Sequence, residues 1–598
     1  MTPVPPLDHA AYGNGRVLGL VAPTASIDWL CLPRFDSPSV LARLLDDREG
    51  GSFRVLIGGE EVRGSQAYIR NTNVVRTFFD HNGDSFDVID YAPRLPEGLT
   101  TRVPYEIVRM IRPHSGHPRI ALDLDVRPDY AREHADWLPT TDGLERRTGS
   151  VPLQVATNIP PAYLLNRQEF ALTEPVFVSL HYGPRRVIPT LSSVQHDLNL
   201  TIEGWRRASK ACYLPGFADD AVLRSALCLK LHTYHDTGAI IAAATTSIPE
   251  AMGTERTWDY RYCWLRDAAF VAGALRRVSF LEEGELFISY LRDVVESGEL
   301  QPLYGIGGER DLREVMLPHL AGFGGNGHVR IGNAASTQPQ HDLMGEVLLC
   351  LDSLLSDPRI VHRDPSSYFP LVRRMVELAI ERGPTPDTGI WEYRTMLRHH
   401  TFSRAMCWAA IHRGAAIARR LGFANYADRW SKAADAEREV VLSRGYNDEL
   451  GFFTQELDGA NLDASNLLLA TIGLVPAQDP RFIKTVDASL ERLTREGLTF
   501  RYLHADDLGV PTTAFSICSF WHAEALAMAG RLPEAIAMFE RMLAYANPVG
   551  LFSEDVDPST GGLIGNFPQA YTHVGLINAA VTIGEILKDR DGRVGTWA

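Results

Sequence analysis

A change of hydrophobic period near residue 200 constrains this chain more than any other feature. Before it, apolar residues alternate. Ile120, Leu122, Leu124 and Val126 are spaced by Ala121, Asp123 and Asp125, the period-two face of a strand. Val75, Thr77 and Phe79 run into His81-Asn82-Gly83-Asp84 and out through Phe86 and Val88. An Asn-Gly between two such runs signals a hairpin, because its turn needs positive φ at both central positions. Frequent Pro and Gly cut residues 1–200 into short strands, which predicts a β-sandwich domain. After the change the spacing is helical. Residues 201–235 predict linker helices between two domains, and 236–598 predict a mainly helical domain. Within it, 403–421 predicts a helix capped by Gly422, and 424–443 a second helix ended by Arg444-Gly445. Pro533 opens a third, with Ile536, Phe539 and Leu543 on one face, and Asn547-Pro548 stops it. No motif repeats at a fixed period, which excludes a solenoid.

Composition narrows the function classes. With 45% apolar and 22% charged residues, the 598-residue chain is an ordinary soluble globular protein rather than a disordered or fibrous one. Its net charge of −15 argues against a nucleic acid or an anionic membrane as partner. The N-terminus shows no basic start followed by an apolar core, and no apolar run reaches the ~18 residues of a membrane span. The seven cysteines are scattered, odd in number and without a CxxC pair, which predicts buried reduced thiols and a cytoplasmic location.

Several short motifs are set aside. Gly322-Phe323-Gly324-Gly325-Asn326-Gly327 spells GxGxxG, but it lacks the strand before and helix after that a dinucleotide site needs, so tight turns explain its glycines. His399-His400 has no carboxylate at ligand spacing, and adjacent helical residues point about 100° apart. Neither HExxH, GxxxxGK[ST] nor GxSxG occurs, so no metal and no cofactor is expected.

What remains is carboxylates among aromatics. Glu392, in Gly389-Ile390-Trp391-Glu392-Tyr393-Arg394, is flanked by rings. Poor solvation there would raise its pKa and suit it to general acid work; the alternative is a Glu paired with Arg394 or Arg398. Glu554, in the polar run Ser553-Glu554-Asp555-Val556-Asp557-Pro558, would stay ionised and activate water, or else be a solvated turn residue. Residues 258–267, Trp-Asp-Tyr-Arg-Tyr-Cys-Trp-Leu-Arg-Asp, join aromatic plates for the apolar face of a sugar to Arg and Asp for its hydroxyls. The alternative there is an aromatic core segment with one buried ion pair. The long connection that runs from Phe323 to Asp342 adds Asp342 as a binding candidate.

These residues resemble the bacterial branch of glycoside hydrolase family 15, which holds glucoamylases, glucodextranases and trehalases. The likeness rests on TWDYRYCWLRD, LYGIGGERDL, GIWEYR, FSICSFW, SEDVDP with GNFPQAYTH, and on the segment from Ile27 to Val40, in the same order along nearly the whole chain. It implies an N-terminal β-sandwich, linker helices and an (α/α)6 barrel over 236–598. It also implies an inverting, exo-acting α-glucoside hydrolase of glucoamylase type, with Glu392 as general acid and Glu554 as general base. Arg266 and Asp267 would grip O4 and O6 of the terminal glucose, and Arg501 would assist. Trp258, Tyr260, Trp264, Trp391 and Asp342 complete the expected substrate-binding set. Ser336 and Pro511-Thr512-Thr513 depart from the family pattern where the second sugar would be read. The partner is then a small α-linked glucosyl disaccharide or oligosaccharide. An α,α-trehalase is the alternative function, a catalytically silent sugar-binding protein a second one, and a homo-oligomer stays open.

Overall fold

A computed structural model describes residues 4–590 apart from Leu99, Arg186, His362 and Arg363. The extreme ends of the first and last expected domains therefore lie outside the described residues. The N-terminal part is mainly antiparallel β, with only short helical turns such as Pro161–Leu165 between strands. One sheet runs Ala10–Gly13, Leu18–Val21, Ile27–Cys31, Ser52–Leu56, Arg119–Asp125 and Phe170–Ala171, with Ser39–Leu41 paired beside Ile27–Cys31. The other has eight strands and centres on Val176–Tyr182, Glu106–Ser115 and Asp84–Tyr91. The Val75–His81 and Asp84–Tyr91 strands form the hairpin that the sequence predicts, with Asn82 at φ 54° and Gly83 at φ 88°. Arg109 of the second sheet donates to the Phe53 carbonyl of the first at 2.9 Å and stacks over its ring, so the two sheets close face to face.

The helical part starts earlier than residue 201. Thr190 caps the helix Leu191–Lys210 through a reciprocal bond pair with Ser193, a strong start signal. Arg94 stacks over Trp205 and ties that helix to the sheets. The next helix, Asp219–His232, packs on Ala570–Arg590 and also meets the β domain, where Asn73 Nδ2 donates to the Leu227 carbonyl at 2.9 Å and Arg224 stacks over Tyr68.

The rest is an (α/α)6 barrel. Its inner ring is Leu265–Arg277, Leu343–Leu355, Thr401–Arg420, the short turn Ala464–Leu468, Ser516–Met528 and Ala570–Arg590. Neighbours touch in that order and the last returns to the first. Inner helices are buried nearly all round; outer ones such as Pro480–Arg492 and Leu532–Leu543 bury a single stripe. The sheets pack against the connection into the first inner helix: Trp29 Nε1 donates to the Ala244 carbonyl at 2.7 Å. Among the described residues, no helix is long and apolar enough to cross a membrane.

Candidate active site

One cavity, of about 910 Å³ including its mouth, lies where the N-termini of the inner helices converge. That is within the usual size of small-molecule sites, ~300–1,000 Å³. Trp264, Arg266 and Asp267 stand at the start of Leu265–Arg277, Phe515 just before Ser516–Met528, and Tyr571 at the start of Ala570–Arg590. Helix N-termini carry partial positive charge, which favours carboxylates there.

Trp258, Tyr260, Trp264, Arg266, Asp267, Trp391, Glu392, Arg501 and Glu554 all line this cavity. Asp342 stands one layer behind, fully buried, with Oδ2 3.5 Å from Arg266 Nη1. The 258–267 motif divides its two Asp/Arg pairs. Arg266 and Asp267 face the cavity, whereas Arg261 and Asp259 bind each other at 2.6 Å and turn to the sheets, where Arg261 donates to Tyr130 Oη and the Ser37 carbonyl.

Glu392 and Glu554 meet in one cavity through two aromatic bridges. Tyr260 Oη donates to Glu554 Oε1 at 2.6 Å, and Trp264 Nε1 donates to Glu392 Oε1 at 2.6 Å. The two rings pack edge to face at 5.5 Å.

The surroundings of the two glutamates differ from those that the sequence predicts. Glu392 sits in a turn at φ 59°, a strained conformation of the kind that clusters at functional sites. Gly389 shares that turn at φ 65°, and a Cβ there would come within 2.7 Å of the His400 ring. The turn aims the flanking rings away. Trp391 Nε1 donates to Asp463, and Tyr393 stacks on His400. Arg394 pairs with Glu314 and Arg398 with Glu456, not with Glu392. Instead Trp264 Nε1, Gln340 Nε2 at 3.0 Å and Arg266 Nη2 at 3.2 Å all donate to Glu392 Oε1. The side chain keeps 21% exposure, so Glu392 is not enclosed by its sequence neighbours.

Glu554 is the enclosed one. Only 1% of it is exposed, because Ser553–Asp555 dive into the barrel while the polar turn is formed by Asp557–Gly562. Gly565, at φ 80°, lets the returning strand approach; a Cβ there would lie 2.7 Å from Glu554 Cβ. Burial, together with the charges of Glu250 and Asp555, pushes the Glu554 carboxyl well above the usual carboxylate range, against the opposing effect of Tyr260 and Arg501. The expectation of a solvated, freely ionised Glu554 is therefore corrected. Burial likewise pushes Asp267 up to about 6, the Arg266 charge opposing it.

Ser336 and Pro511–Thr513, the departures from the family pattern, do not line the cavity. Ser336 is buried, and Thr513 bonds Asp555.

The pattern of glycosyl hydrolases family 15 matches residues 216–581, well over half of the chain. The chain belongs to that family. A trehalase-like N-terminal pattern matches residues 3–159. The chain is 36% identical to a trehalase of Mycobacterium tuberculosis over 617 residues, covering 97% of this chain and 90% of that one. It is 30% identical to a trehalase of Thermoplasma volcanium over 597 residues, covering 98% and 95%. In fold it resembles a bacterial glucoamylase solved with acarbose, with a TM-score of 0.71 at 14% identity, covering 98% and 96%. This family 15 protein is a glycoside hydrolase with an N-terminal β domain and an (α/α)6 barrel.

Sequence reasoning missed several groups in and behind the cavity wall. Gln340, which holds both Arg266 and Glu392, lies two residues before Asp342 in Gln338-Pro339-Gln340-His341-Asp342. Glu250 follows Pro249 with no aromatic beside it, and no spacing rule marks it. Among the described residues no cluster of His, Cys, Asp and Glu is arranged to hold a metal ion. The seven cysteines are free thiols. His400, buried against Tyr393, has its pKa lowered to about 4 by burial and neighbouring charges.

Proposed function

We propose that this family 15 hydrolase is an inverting α,α-trehalase, with Glu392 as general acid and Glu554 as general base. The observation that carries the pair is their convergence on one cavity through the Tyr260–Trp264 bridge. The choice of trehalose over the glucoamylase-type reading on short α-glucosides, toward which the sequence leans, rests on full-length similarity to proteins named trehalase in bacteria and archaea. One loop of the cavity lining is tied down on two sides. Asp506 binds Arg256 at 2.6 Å, and Asp507 accepts from the backbone N–H of Arg394 at 2.5 Å and of Thr395 at 3.2 Å. The loop around Leu508, part of the cavity lining, is thereby held in place.

The chemistry follows from the donors. Three protein N–H groups occupy Glu392 Oε1, so a proton on Glu392 sits on Oε2. That proton passes to the bridging oxygen as the C1–O bond breaks, its electron pair going to the departing glucose. On the opposite face Glu554 takes a proton from water, whose oxygen bonds to C1. The carboxyl groups of an inverting pair stand roughly 6.5–9.5 Å apart to admit that water. Arg266 and Asp267 hold the terminal hydroxyls of the attacked glucose, with Asp342 behind them and Arg501 at the side. Trp258 and Trp391 supply its apolar walls.

Glucose release from trehalose, maltose, isomaltose and maltotriose, compared side by side, tests the assignment. Trehalose is expected to be turned over far faster than the others. Turnover of maltose and maltotriose with trehalose untouched would restore the glucoamylase-type reading.

A further inference from the structure

Glu250 is a third glutamate in the cavity, 4% exposed, with no place in the mechanism above. Its Oε1 accepts from Trp258 Nε1 at 2.7 Å and its Oε2 from Arg501 Nη2 at 2.5 Å. Arg256 Nη1 stands 3.8 Å from Oε2 but gives its shorter contact, 2.6 Å, to Asp506. The Gly565 N–H donates to the Pro249 carbonyl at 2.9 Å, which ties the Glu250 segment to the hairpin bearing Glu554. Glu250, Glu554 and Asp555 thus draw on two guanidinium groups, of which Arg501 is bound to Glu250 and Arg256 to Asp506.

We propose that Glu250 is a positioning residue for water activation: by holding Arg501 it keeps that guanidinium from pairing with Glu554, and so preserves the strength of Glu554 as a base. This rests on the reading of Glu554 as the general base. A carboxylate in a close ion pair is a poor proton acceptor, because protonation would sacrifice the pair. The groups that face Glu554 are Tyr260, the Asn566 backbone N–H, Asp555, Glu250 and Arg501. Of these only Arg501 carries positive charge, and Glu250 governs where that charge sits. Trp258 fixes the other oxygen of Glu250, and its own ring is held by Arg330 and Arg394 at 4.7 and 4.2 Å.

The test is the pH profile of kcat/KM for Glu250→Gln, which keeps the shape and loses the charge. Arg501 is then free to turn to Glu554, and the acidic limb should move down by about one pH unit or more, with a roughly tenfold lower plateau. Glu250→Asp, which keeps the charge, should leave the limb near its original position. Asp506→Asn, on the mouth loop, releases Arg256 toward Glu250 and should move the limb in the same direction by less; it carries the test if Glu250→Gln does not fold. Glucose binding followed by tryptophan fluorescence reports that each variant keeps its cavity. Profiles for Glu250→Gln and Asp506→Asn that superpose on the unaltered enzyme would overturn the proposal. Turnover in Glu554→Gln close to that of the unaltered enzyme would instead overturn the base assignment, whatever Glu250 does.

Discussion

The β-sandwich and the wall behind the cavity treat buried acids in opposite ways. In the β-sandwich most are matched by a cation. Asp90 takes two bonds from Arg109, at 2.8 and 3.1 Å, with both side chains almost wholly buried. Asp87 accepts from Arg76, Arg112 and His114; burial pushes its pKa up, but these three outweigh it and leave it below the usual value. Asp123 is held by Arg54 and Arg167. Beneath the cavity the account does not balance. Asp267, Asp342 and Glu346 surround the single guanidinium of Arg266, and both oxygens of Glu346 and of Asp342 lack a hydrogen-bonding protein partner. Asp387 is pushed up to about 7 by burial and by Asp342. A matched acid holds a fold together. An unmatched one leaves a buried charge-bearing group behind the cavity wall, beside the Arg266 that faces the cavity, and its cost to stability is borne elsewhere in the molecule.

The largest expected effect lies on the unmatched side. Glu392→Gln should lower turnover of trehalose by roughly 10²–10⁴-fold while leaving glucose binding in place, and should hurt far less on α-glucosyl fluoride, whose leaving group needs little protonation. Equal loss on both substrates would remove Glu392 as the acid. Glu554→Gln should suppress both alike.

On the matched side, Arg109→Met leaves Asp90 charged and unpaired inside the sandwich. Denaturant unfolding should show a loss of about 3–5 kcal/mol, with turnover per folded molecule unchanged. A loss below 1 kcal/mol would mean that the sandwich does not depend on matched pairs.

A third test uses pH. Glu554 acts only when deprotonated and its pKa is raised, so kcat/KM should fall as the pH drops through a midpoint above the ordinary glutamate value of about 4.3. Full activity maintained at pH 4 would contradict the enclosure of Glu554.

The smallest effect concerns Glu346. Burial and Asp342 raise its pKa well above the usual value, so the folded state binds its proton more tightly than the unfolded chain does. Its contribution to stability therefore falls as pH rises above the unfolded value. Glu346→Gln removes that dependence. The variant should gain on the unaltered protein between pH 5 and pH 8, by about 1 kcal/mol or less, in thermal unfolding. A variant less stable throughout would show Glu346 to be a matched acid after all.

Much of this contrast was legible in the sequence, but not its electrostatics. Asn82-Gly83 set a hairpin and Gly422 closed a helix, because these signals act on the backbone within a few residues. The predicted 403–421 helix begins at Thr401 because His400 is locked into a bridge with Glu456, a tertiary contact. The inner element Ala464–Leu468 is too short for any period to reveal. For the site, aromatic-rich motifs pointed to the groups that line the cavity. The environments of Glu392 and Glu554 came out reversed, because residues adjacent in sequence are not the ones that surround a carboxyl. Trp391 and Tyr393 turn away from Glu392, while Glu250 and Tyr260, about three hundred residues upstream, enclose Glu554.

The most direct test of the paired glutamates is an early proton NMR time course of trehalose hydrolysis. The attacked glucose leaves inverted, whereas the departing glucose keeps its own α configuration. The account predicts α- and β-glucose in equal amounts before mutarotation, with oxygen from ¹⁸O-labelled water found only in the β anomer. Release of α-glucose alone would contradict it, because water would then not have entered C1 from the face opposite Glu392.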